Sequence, residues 1–335
     1  MAPRYDFMSD NTAPAAPEAM AAVLDANSGF VPSYGDDPTT AQAGDLIRQW
    51  LDTDAEVRFV ASGTAANAIC LAALCRPFES VLAHRLAHLT IDETGAPGFF
   101  GHGLGIIGLP GVSGRIDGAA LADALAQSPN GHVQSPAALS LTQVTEFGAV
   151  YSTDQFRALI APAKAKGLGV HIDGARLANA AAAGFDVKTI KSLGVDLLVI
   201  GGTKAGMPPT EAIVILNPHL RPRFDARLKQ SGQFPSKSRF FAAPFIGMLQ
   251  DGALIRHAKH ANAMAARLAQ RMPFPLTHAV ESNGIFVEMD EPTRLRLHDA
   301  GWASIRFLDG SVRFMCSWAT TAEAVDALGE ALKAL

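Results

Sequence analysis

The stretch Asp196-Leu-Leu-Val-Ile-Gly-Gly-Thr-Lys-Ala-Gly206 joins a short apolar run to a lysine, Lys204, in a turn of small residues. A nearly continuous apolar run of this length predicts a strand whose two faces are both covered by helices. In the turn the Lys204 ammonium would lose part of its water, and a lysine held that way can attack a carbonyl and form a Schiff base. Taken alone, however, the pattern fits an ordinary solvated lysine better.

Apolar runs of the same kind alternate with helical patterns through the first two thirds of the chain. The runs cover residues 57–61, 80–83, 138–141, 169–173 and 212–216, and the helical patterns cover 64–75, 116–126 and 153–166. This alternation predicts an α/β core with a mainly parallel sheet and helical crossovers.

The segments around this core predict three parts. Residues 1–40, rich in proline and with one short helix at 17–26, predict an N-terminal arm. Residues 41–240 predict a large domain that ends in a charged helix at 221–229 and in a hinge or active-site loop at 230–237. Residues 241–335 predict a smaller α+β domain, with a long helix at 240–271, strands at 284–289 and 312–316, and a closing helix from Thr321.

Composition excludes several classes of protein. Lys and Arg number 28 against 32 Asp and Glu, a net charge of -4, so no basic stripe is available for a phosphate backbone and nucleic acid is excluded as a partner. No stretch approaches the ~18 apolar residues that cross a bilayer, so we expect a soluble protein. Cys70, Cys75 and Cys316 show no paired spacing, which predicts neither a disulfide framework nor a zinc site and favours the cytoplasm.

Two further motifs follow predicted strands, at the edge where open α/β sheets bind ligands. In His171-Ile-Asp-Gly-Ala-Arg176, Asp173 can pair with a protonated ring nitrogen and Arg176 can hold a carboxylate, although an aspartate here can equally cap a helix. In Ser62-Gly-Thr64, amides and hydroxyls at a helix start can form a phosphate cradle or an ordinary cap. A phosphate cradle, an aspartate and a lysine together are what pyridoxal 5'-phosphate requires.

The combined motifs resemble the L-threonine aldolases among the fold-type-I pyridoxal phosphate enzymes, from about residue 5 to Arg313. The resemblance rests on Ser9-Asp10, residues 34–37 (Tyr-Gly-Asp-Asp), Ser62-Gly-Thr64, Ala87-His88, residues 171–176 and Thr203-Lys204. It implies seven strands in the sheet, flanked by helices, and cofactor binding by the large domain. It also implies a homodimer or homotetramer with active sites shared between subunits.

The resemblance implies a role for each matching residue. Lys204 would form the Schiff base, Asp173 would face the pyridinium nitrogen, and His88 would lie over the ring and could serve as a base. The remaining implied contacts are Ser62, Gly63, Thr64, Arg176 and Lys229 with the cofactor, and Ser9, Tyr34, Arg176 and Arg313 with the substrate.

The implied reaction is retro-aldol cleavage of L-threonine, L-allo-threonine and related L-β-hydroxy-α-amino acids to glycine and an aldehyde. Another lyase reaction, β-elimination, or transamination would use the same cofactor residues and stays an alternative. Many members carry Glu-Asn-Thr-His where this chain has the stretch from Ser140 to Gly148. A substrate-contacting histidine of the family is therefore absent, and Thr145 and Glu146 are the candidates for its role.

Two weaker motifs are set aside. Gly103-Leu-Gly-Ile-Ile-Gly108 has the spacing of a dinucleotide-binding loop, but Pro110 follows at once, so it predicts a turn-rich loop or hairpin, with a dehydrogenase-like protein as a rival. The pairs His84/His88 and His257/His260 lack a third ligand, so no metal site is expected.

Overall fold

The computed structural model describes residues 5–127, 131–222 and 224–335, with the backbone alone for Tyr5. The first four residues of the predicted arm and Arg223 of the predicted helix 221–229 lie outside these ranges. The strands are, in chain order, β1 (Tyr5–Asp6), β2 (Glu56–Val60), β3 (Glu79–His84), β4 (Gly105–Leu109), β5 (Ser135–Thr142), β6 (Gly169–Gly174), β7 (Leu197–Gly201), β8 (Glu211–Ile215), β9 (Gly284–Val287), β10 (Trp302–Ala303), β11 (Ile305–Arg306) and β12 (Val312–Met315).

The helices surround these strands, and several begin with side-chain caps of the kind that Ser and Asp provide. In chain order they are α1 (Pro17–Ala26), α2 (Pro38–Leu51), α3 (Gly63–Leu74), α4 (His88–Ile91), α5 (Ala96–Phe100), α6 (Gly118–Ala126), α7 (Thr153–Ala165), α8 (Leu177–Ala182), α9 (Thr189–Ser192), α10 (Phe224–Gln230), α11 (Arg239–Gln250), α12 (Ala253–Ala269), α13 (Glu291–Asp299) and α14 (Ala322–Lys333). Short 3-10 helices cover Asp10–Thr12, Thr203–Ala205 and Pro218–Leu220. No helix in the described ranges is long and apolar enough to span a membrane.

Seven strands form one sheet in the order β2-β8-β7-β6-β5-β3-β4, which confirms the predicted α/β class and the mainly parallel sheet. Only β8 runs antiparallel to its neighbours, β2 and β7. Residues 202–210, which connect β7 to β8, are too few for a parallel crossover, which needs about a dozen or more residues. The chain therefore turns back directly, and Lys204 lies in that turn.

The apolar run of β7 is buried on both faces, as its sequence predicts. Leu198 and Ile200 pack in one apolar cluster with the helices of one side, and Leu197 and Val199 pack in another with α3. Successive residues of a strand point to opposite faces, so a strand covered on both sides needs apolar residues at every position.

Two sequence predictions are wrong in detail. Residues 105–109 form an edge strand, β4, and not a turn-rich loop, because they pair in parallel with β3. The predicted single helix at 240–271 is two helices, α11 and α12, separated at Gly252, whose φ of 67° is in the left-handed region that ends a helix.

A second, smaller group of strands lies toward the end of the chain and includes the arm. Strands β11, β12 and β9 form an antiparallel sheet, and β1 pairs in parallel with β10. Phe7 is fully buried in the apolar cluster of this region, and α1 packs on α11, where Gly247 leaves room for the Glu18 carbonyl. The arm therefore contacts both parts. The domain boundaries at 40 and 240 stay predictions, and α11 packs with the core of the large sheet.

Candidate active site

Lys204 lies at the carboxyl edge of the central sheet, in the 3-10 helix after β7. Glycines make this tight turn possible: a Cβ on Gly201 would lie 2.2 Å from the Ala175 carbonyl oxygen, and one on Gly202 would lie 2.4 Å from the Thr210 carbonyl oxygen. Beneath the turn, Glu211 accepts a hydrogen bond from the Gly202 amide at 2.7 Å, and burial raises the pKa of its carboxyl to about 7. The half-buried Lys204 faces a pocket.

Asp173 ends β6 and belongs to a chain of buried hydrogen bonds. Its Oδ2 accepts from Asn67 Nδ2 at 2.9 Å, and its Oδ1 accepts from the Ala175 amide at 3.0 Å. Asn67 Nδ2 also donates to Glu93 Oε1, which lies 2.9 Å from His88 Nδ1. The alternative role of Asp173 as the cap of the following helix is not observed, because that helix, α8, has Arg176 at its cap position and no side-chain cap bond.

The same chain of hydrogen bonds sets the protonation of His88. The hydrogen bond that His88 Nδ1 donates to Glu93 raises the pKa of His88 above its usual value and outweighs the opposing effect of partial burial. Burial in turn raises the pKa of Glu93. His88 therefore favours the protonated form more strongly than a free histidine.

Helix α3 begins at the predicted phosphate cradle. Ser62 caps it, with Oγ accepting from the Ala65 amide at 3.3 Å, so the hydroxyl proton stays able to donate. The amides of Gly63 and Thr64 are in the first turn, where no intrahelical acceptor exists. A Cβ on Gly63 would meet nothing within 4 Å, so the space in front of the helix is open. One turn later Asn67 reaches Asp173, so α3 links the two predicted parts of the cofactor site.

Arg176 is held by the N-terminal arm. Its Nε and Nη2 donate to Asp10 at 2.7 and 2.9 Å, and Asn283 Nδ2 donates to Asp10 as well at 3.1 Å. Burial acts to raise the pKa of Asp10, but the charge and hydrogen bonds of Arg176 outweigh it, so that the pKa falls below its ordinary value. Two of the guanidinium's nitrogens are thereby already engaged.

Arg313 keeps a donor available. Its Nη2 donates to the Met8 carbonyl at 2.7 Å and its guanidinium lies 4.7 Å from the centre of the Phe307 ring, whereas its Nε is buried without a partner. Burial and the nearby Arg176 lower its pKa to about 10, so it remains a cation at neutral pH. A buried cation with an unused donor suits a carboxylate.

Most of the predicted substrate and catalytic residues meet in one pocket of about 290 Å³. Glu146, on the loop after β5, also lines this pocket. The predicted site residues among its walls are Ser9, His88, Arg176, Lys204 and Arg313.

Tyr34 and Lys229 are not brought to this pocket within one chain. They lie together elsewhere, with Lys229 Nζ 4.3 Å from the centre of the Tyr34 ring, and Tyr34 lines a separate pocket with Arg58 and Asp225.

Asp10, Asn67 and Glu93 were not assigned roles from the sequence. Asp10 and Arg176 are 166 positions apart, and Asn67 and Asp173 are 106 positions apart, so no local pattern joins them. The spacing of Asn67 from Gly63 on one face of a helix was the only available indication.

Replacement of Asp10 by asparagine is expected to lower the free energy of unfolding at pH 7 by about 3 kcal/mol, because it leaves the buried Arg176 charge without its partner. A carboxyl whose folded pKa is lowered stabilises the protein above its unfolded pKa and loses that contribution as the pH falls through the folded pKa. Urea unfolding should therefore show a difference between wild type and Asp10→Asn that shrinks below about pH 4. The exposed pair Asp154 and Arg157 supplies the control, Asp154→Asn; a difference for Asp10→Asn that does not vary with pH would contradict the argument.

The chain is similar to known proteins over nearly its whole length. Residues 6–292 match the model of the beta-eliminating lyase family. The low specificity L-threonine aldolase of Pseudomonas aeruginosa is 42% identical over 98% of this chain and 96% of its own length, and that of Pseudomonas sp. is 40% identical over 98% and 97%. The solved structure of Leishmania major threonine aldolase matches with a TM-score of 0.92 at 29% identity, over 98% of this chain and 99% of that one.

Proposed function

Since the chain belongs to the beta-eliminating lyase family, in which its nearly full-length relatives are low specificity L-threonine aldolases, we propose that it cleaves L-threonine. The products are glycine and acetaldehyde, and L-allo-threonine and related L-β-hydroxy-α-amino acids react in the same way. The cofactor is pyridoxal 5'-phosphate. The observation that carries the proposal is the shared pocket of Lys204, His88, Arg176 and Arg313 beside the buried carboxylate network of Asp173.

The residues present fit this cofactor. The open start of α3 offers the Gly63 and Thr64 amides and the Ser62 hydroxyl to a phosphate. Asp173 accepts two hydrogen bonds from protein donors, which hold its carboxylate in place to face a ring nitrogen. Lys204 supplies the amine for the aldehyde group of the cofactor. His88 is connected to Asp173 by the hydrogen bonds of Glu93 and Asn67. When bound, the cofactor supplies an electron sink for the bond that breaks at the substrate Cα.

The protein's own side chains bind and orient the substrate. Arg313 offers the unused guanidinium donor to the substrate carboxylate, and Arg176, held in place by Asp10, adds a second positive charge. When the carboxylate is fixed, the substrate cannot rotate freely about the bond between its nitrogen and Cα. The protein therefore selects which of the bonds at Cα is oriented for cleavage. Ser9, in the N-terminal arm, lines the same pocket and can contact the substrate.

A product assay tests the proposal. Purified protein with the cofactor is offered L-threonine, L-allo-threonine and phenylserine, and glycine and aldehyde are measured beside keto acid and ammonia. Glycine with an equal amount of aldehyde is expected. Keto acid with ammonia would instead indicate β-elimination, and a keto acid formed only with an amino acceptor would indicate transamination.

We also propose a homodimer or homotetramer in the cytoplasm, with Tyr34 and Lys229 contributing to the pocket of a neighbouring subunit. Neither residue lines the Lys204 pocket of its own chain, which supports this proposal. The exposure of Leu24, Phe30 and Val31, which are near Tyr34 in the sequence, supports it as well. The three cysteines are buried and unpaired, which fits a reducing compartment. Light scattering on the holoenzyme measures the assembly, and a monomer with full activity would contradict it.

A further inference from the structure

Glu146 occupies a position that the described mechanism has not yet used. It follows β5, whose carboxyl end lies beside that of β6, where Asp173 stands. Its side chain lines the same pocket as Lys204 and Arg313. The aldol cleavage proposed above needs a group that accepts the proton of the substrate hydroxyl, and Glu146 is a carboxyl group in this pocket.

The Glu146 carboxyl is held at one oxygen and unused at the other. Oε1 accepts from the His88 amide at 2.8 Å and from Thr142 Oγ1 at 3.2 Å. Oε2 is buried and makes no hydrogen bond among the described residues. A buried carboxylate oxygen without a donor is costly, and a hydroxyl from a bound molecule would satisfy it.

The loop that carries Glu146 is fixed on both sides. The Gln143 side chain makes two 3.0 Å hydrogen bonds to the backbone of Tyr151, donating to its carbonyl and accepting from its amide. Thr145 Oγ1 donates to the Ser113 carbonyl at 2.8 Å and accepts from the Ala149 amide at 3.1 Å. Thr145 is thus buried with its hydroxyl engaged outside the pocket, whereas Glu146 of the same loop lines the pocket.

His88 is the other candidate for a base, and its surroundings argue against it. Its Nδ1 lies 2.9 Å from Glu93 Oε1 and its Nε2 lies 3.6 Å from Asp92 Oδ2. Both ring nitrogens therefore face carboxylates, which favours a protonated ring that acts as a donor. Removal from water, together with the nearby Asp173 charge, raises the pKa of Glu146 to about 7 despite its two hydrogen bonds. A general base is most effective when its pKa is near the operating pH.

Other charges around Glu146 come from several elements. The cations Arg176, Lys204, Arg306 and Arg313 share its pocket, with Asp92 at the end of α4 as an acid. Tyr151, on the same loop, stays neutral because burial raises its pKa. A carboxylate at Glu146 therefore lies in a pocket whose other charged residues are mainly cations.

We propose that Glu146 is the catalytic base that takes the β-hydroxyl proton of the substrate. The assignment rests on the proposed aldol cleavage. The O–H bond breaks and its proton moves to Glu146 Oε2, while the O–H electron pair forms the carbonyl of the aldehyde. The Cα–Cβ electron pair remains with the glycine portion, and one proton added at Cα completes glycine, so that substrate and products balance without a further reactant.

The test compares two reactions of the same holoenzyme. Glu146→Gln keeps the size of the side chain and is expected to lower kcat for threonine cleavage at least ~100-fold, as removal of a general base does. Exchange of the glycine Cα proton with solvent deuterium moves no hydroxyl proton, and it should continue at the wild-type rate. The matched control is Glu330→Gln at a surface ion pair, which should leave both reactions unchanged.

Two further measurements test the ionisation of Glu146: the pH profile of cleavage and an infrared titration. The wild-type kcat for cleavage should rise with pH through an apparent pKa near 7, because the base must be ionised, and this rise should be absent from glycine exchange. In the cofactor-free protein, infrared difference spectra should show a carboxyl that titrates near pH 7 in wild type and is missing from Glu146→Gln. Glu211 has a similar pKa but is present in both proteins, so its infrared signal is the same in the two titrations.

Two outcomes would overturn the assignment while leaving the proposed function intact. In one, Glu146→Gln cleaves threonine at a rate near that of wild type; in the other, the rates of cleavage and of glycine exchange fall equally. Wild-type protein that exchanges glycine protons but does not cleave threonine would contradict the proposed function itself, and with it this assignment. If the glutamine variant does not fold, Glu146→Asp replaces it. The aspartate is shorter by one methylene, so cleavage should fall selectively relative to exchange, and an equal fall in both would again overturn the role of Glu146.

Discussion

Lys204→Ala is expected to reduce threonine cleavage at least ~10⁴-fold, since loss of a covalent nucleophile can cost on the order of 10⁶ in kcat. Lys204 is the lysine that the β7–β8 turn presents to the pocket with Arg176 and Arg313. Alanine removes the amine without adding bulk, and Gly201 and Gly202 keep the turn closed. Steady-state assays of acetaldehyde and glycine measure the loss.

A direct readout accompanies the rate. Borohydride treatment of wild-type holoenzyme should leave the mass of the reduced cofactor on the peptide that contains Lys204, and no such mass should appear in the alanine variant. Lys191→Ala, which removes an exposed lysine paired with Asp54, is the matched control and should retain both activity and labelling. Normal turnover by Lys204→Ala, or labelling of another lysine, would refute the assignment.

The second large effect is expected for Asp173→Asn. Both oxygens of Asp173 accept hydrogen bonds, from Asn67 Nδ2 and from the Ala175 amide. An asparagine places an NH₂ group against one of these donors and removes the negative charge that would face a ring nitrogen. We expect weaker retention of the cofactor and a fall in kcat on the order of 10²-fold or more, comparable with removal of a preorganised electrostatic group.

The cofactor's dissociation constant, measured from its absorbance during dialysis, separates binding from turnover for Asp173→Asn. The exposed Asp154→Asn variant controls for the change of residue type. Unaltered cofactor affinity together with an unaltered rate constant would contradict the role of Asp173. If affinity alone fell, saturating cofactor would restore kcat, and the electronic role would have to be given up.

The parts of the fold that local sequence could predict are those governed by burial. The runs that became β7 and β8 are apolar at nearly every position and buried throughout, because helices cover both faces of the sheet. Strand β4 was missed because Gly105 and Gly108 interrupt its apolar pattern and most of its residues are not buried. The division between α11 and α12 depends on the backbone of Gly252, which a helical periodicity does not reveal.

In the candidate site, too, some residues could be predicted from the sequence and others could not. Lys204, Asp173 and the Ser62 cradle follow strands of one sheet, so their order alone predicts that they meet at its carboxyl edge. The partners of these residues come from distant positions: Asp10 reaches Arg176, and Glu93 joins His88 to Asn67. Sequence order carries no information about which buried donor satisfies which carboxylate.

The order and type of the residues in this chain thus determined the α/β architecture, the position of Lys204 after a buried strand, and the class of cofactor. The folded arrangement decided the state of each ionisable group: it protonates His88 more firmly, engages Arg176 with Asp10, and leaves one oxygen of Glu146 free with a pKa of about 7. The reason is physical, because a side chain's affinity for a proton depends on the water it loses and the charges it meets, and both are set by contacts between segments far apart in the chain.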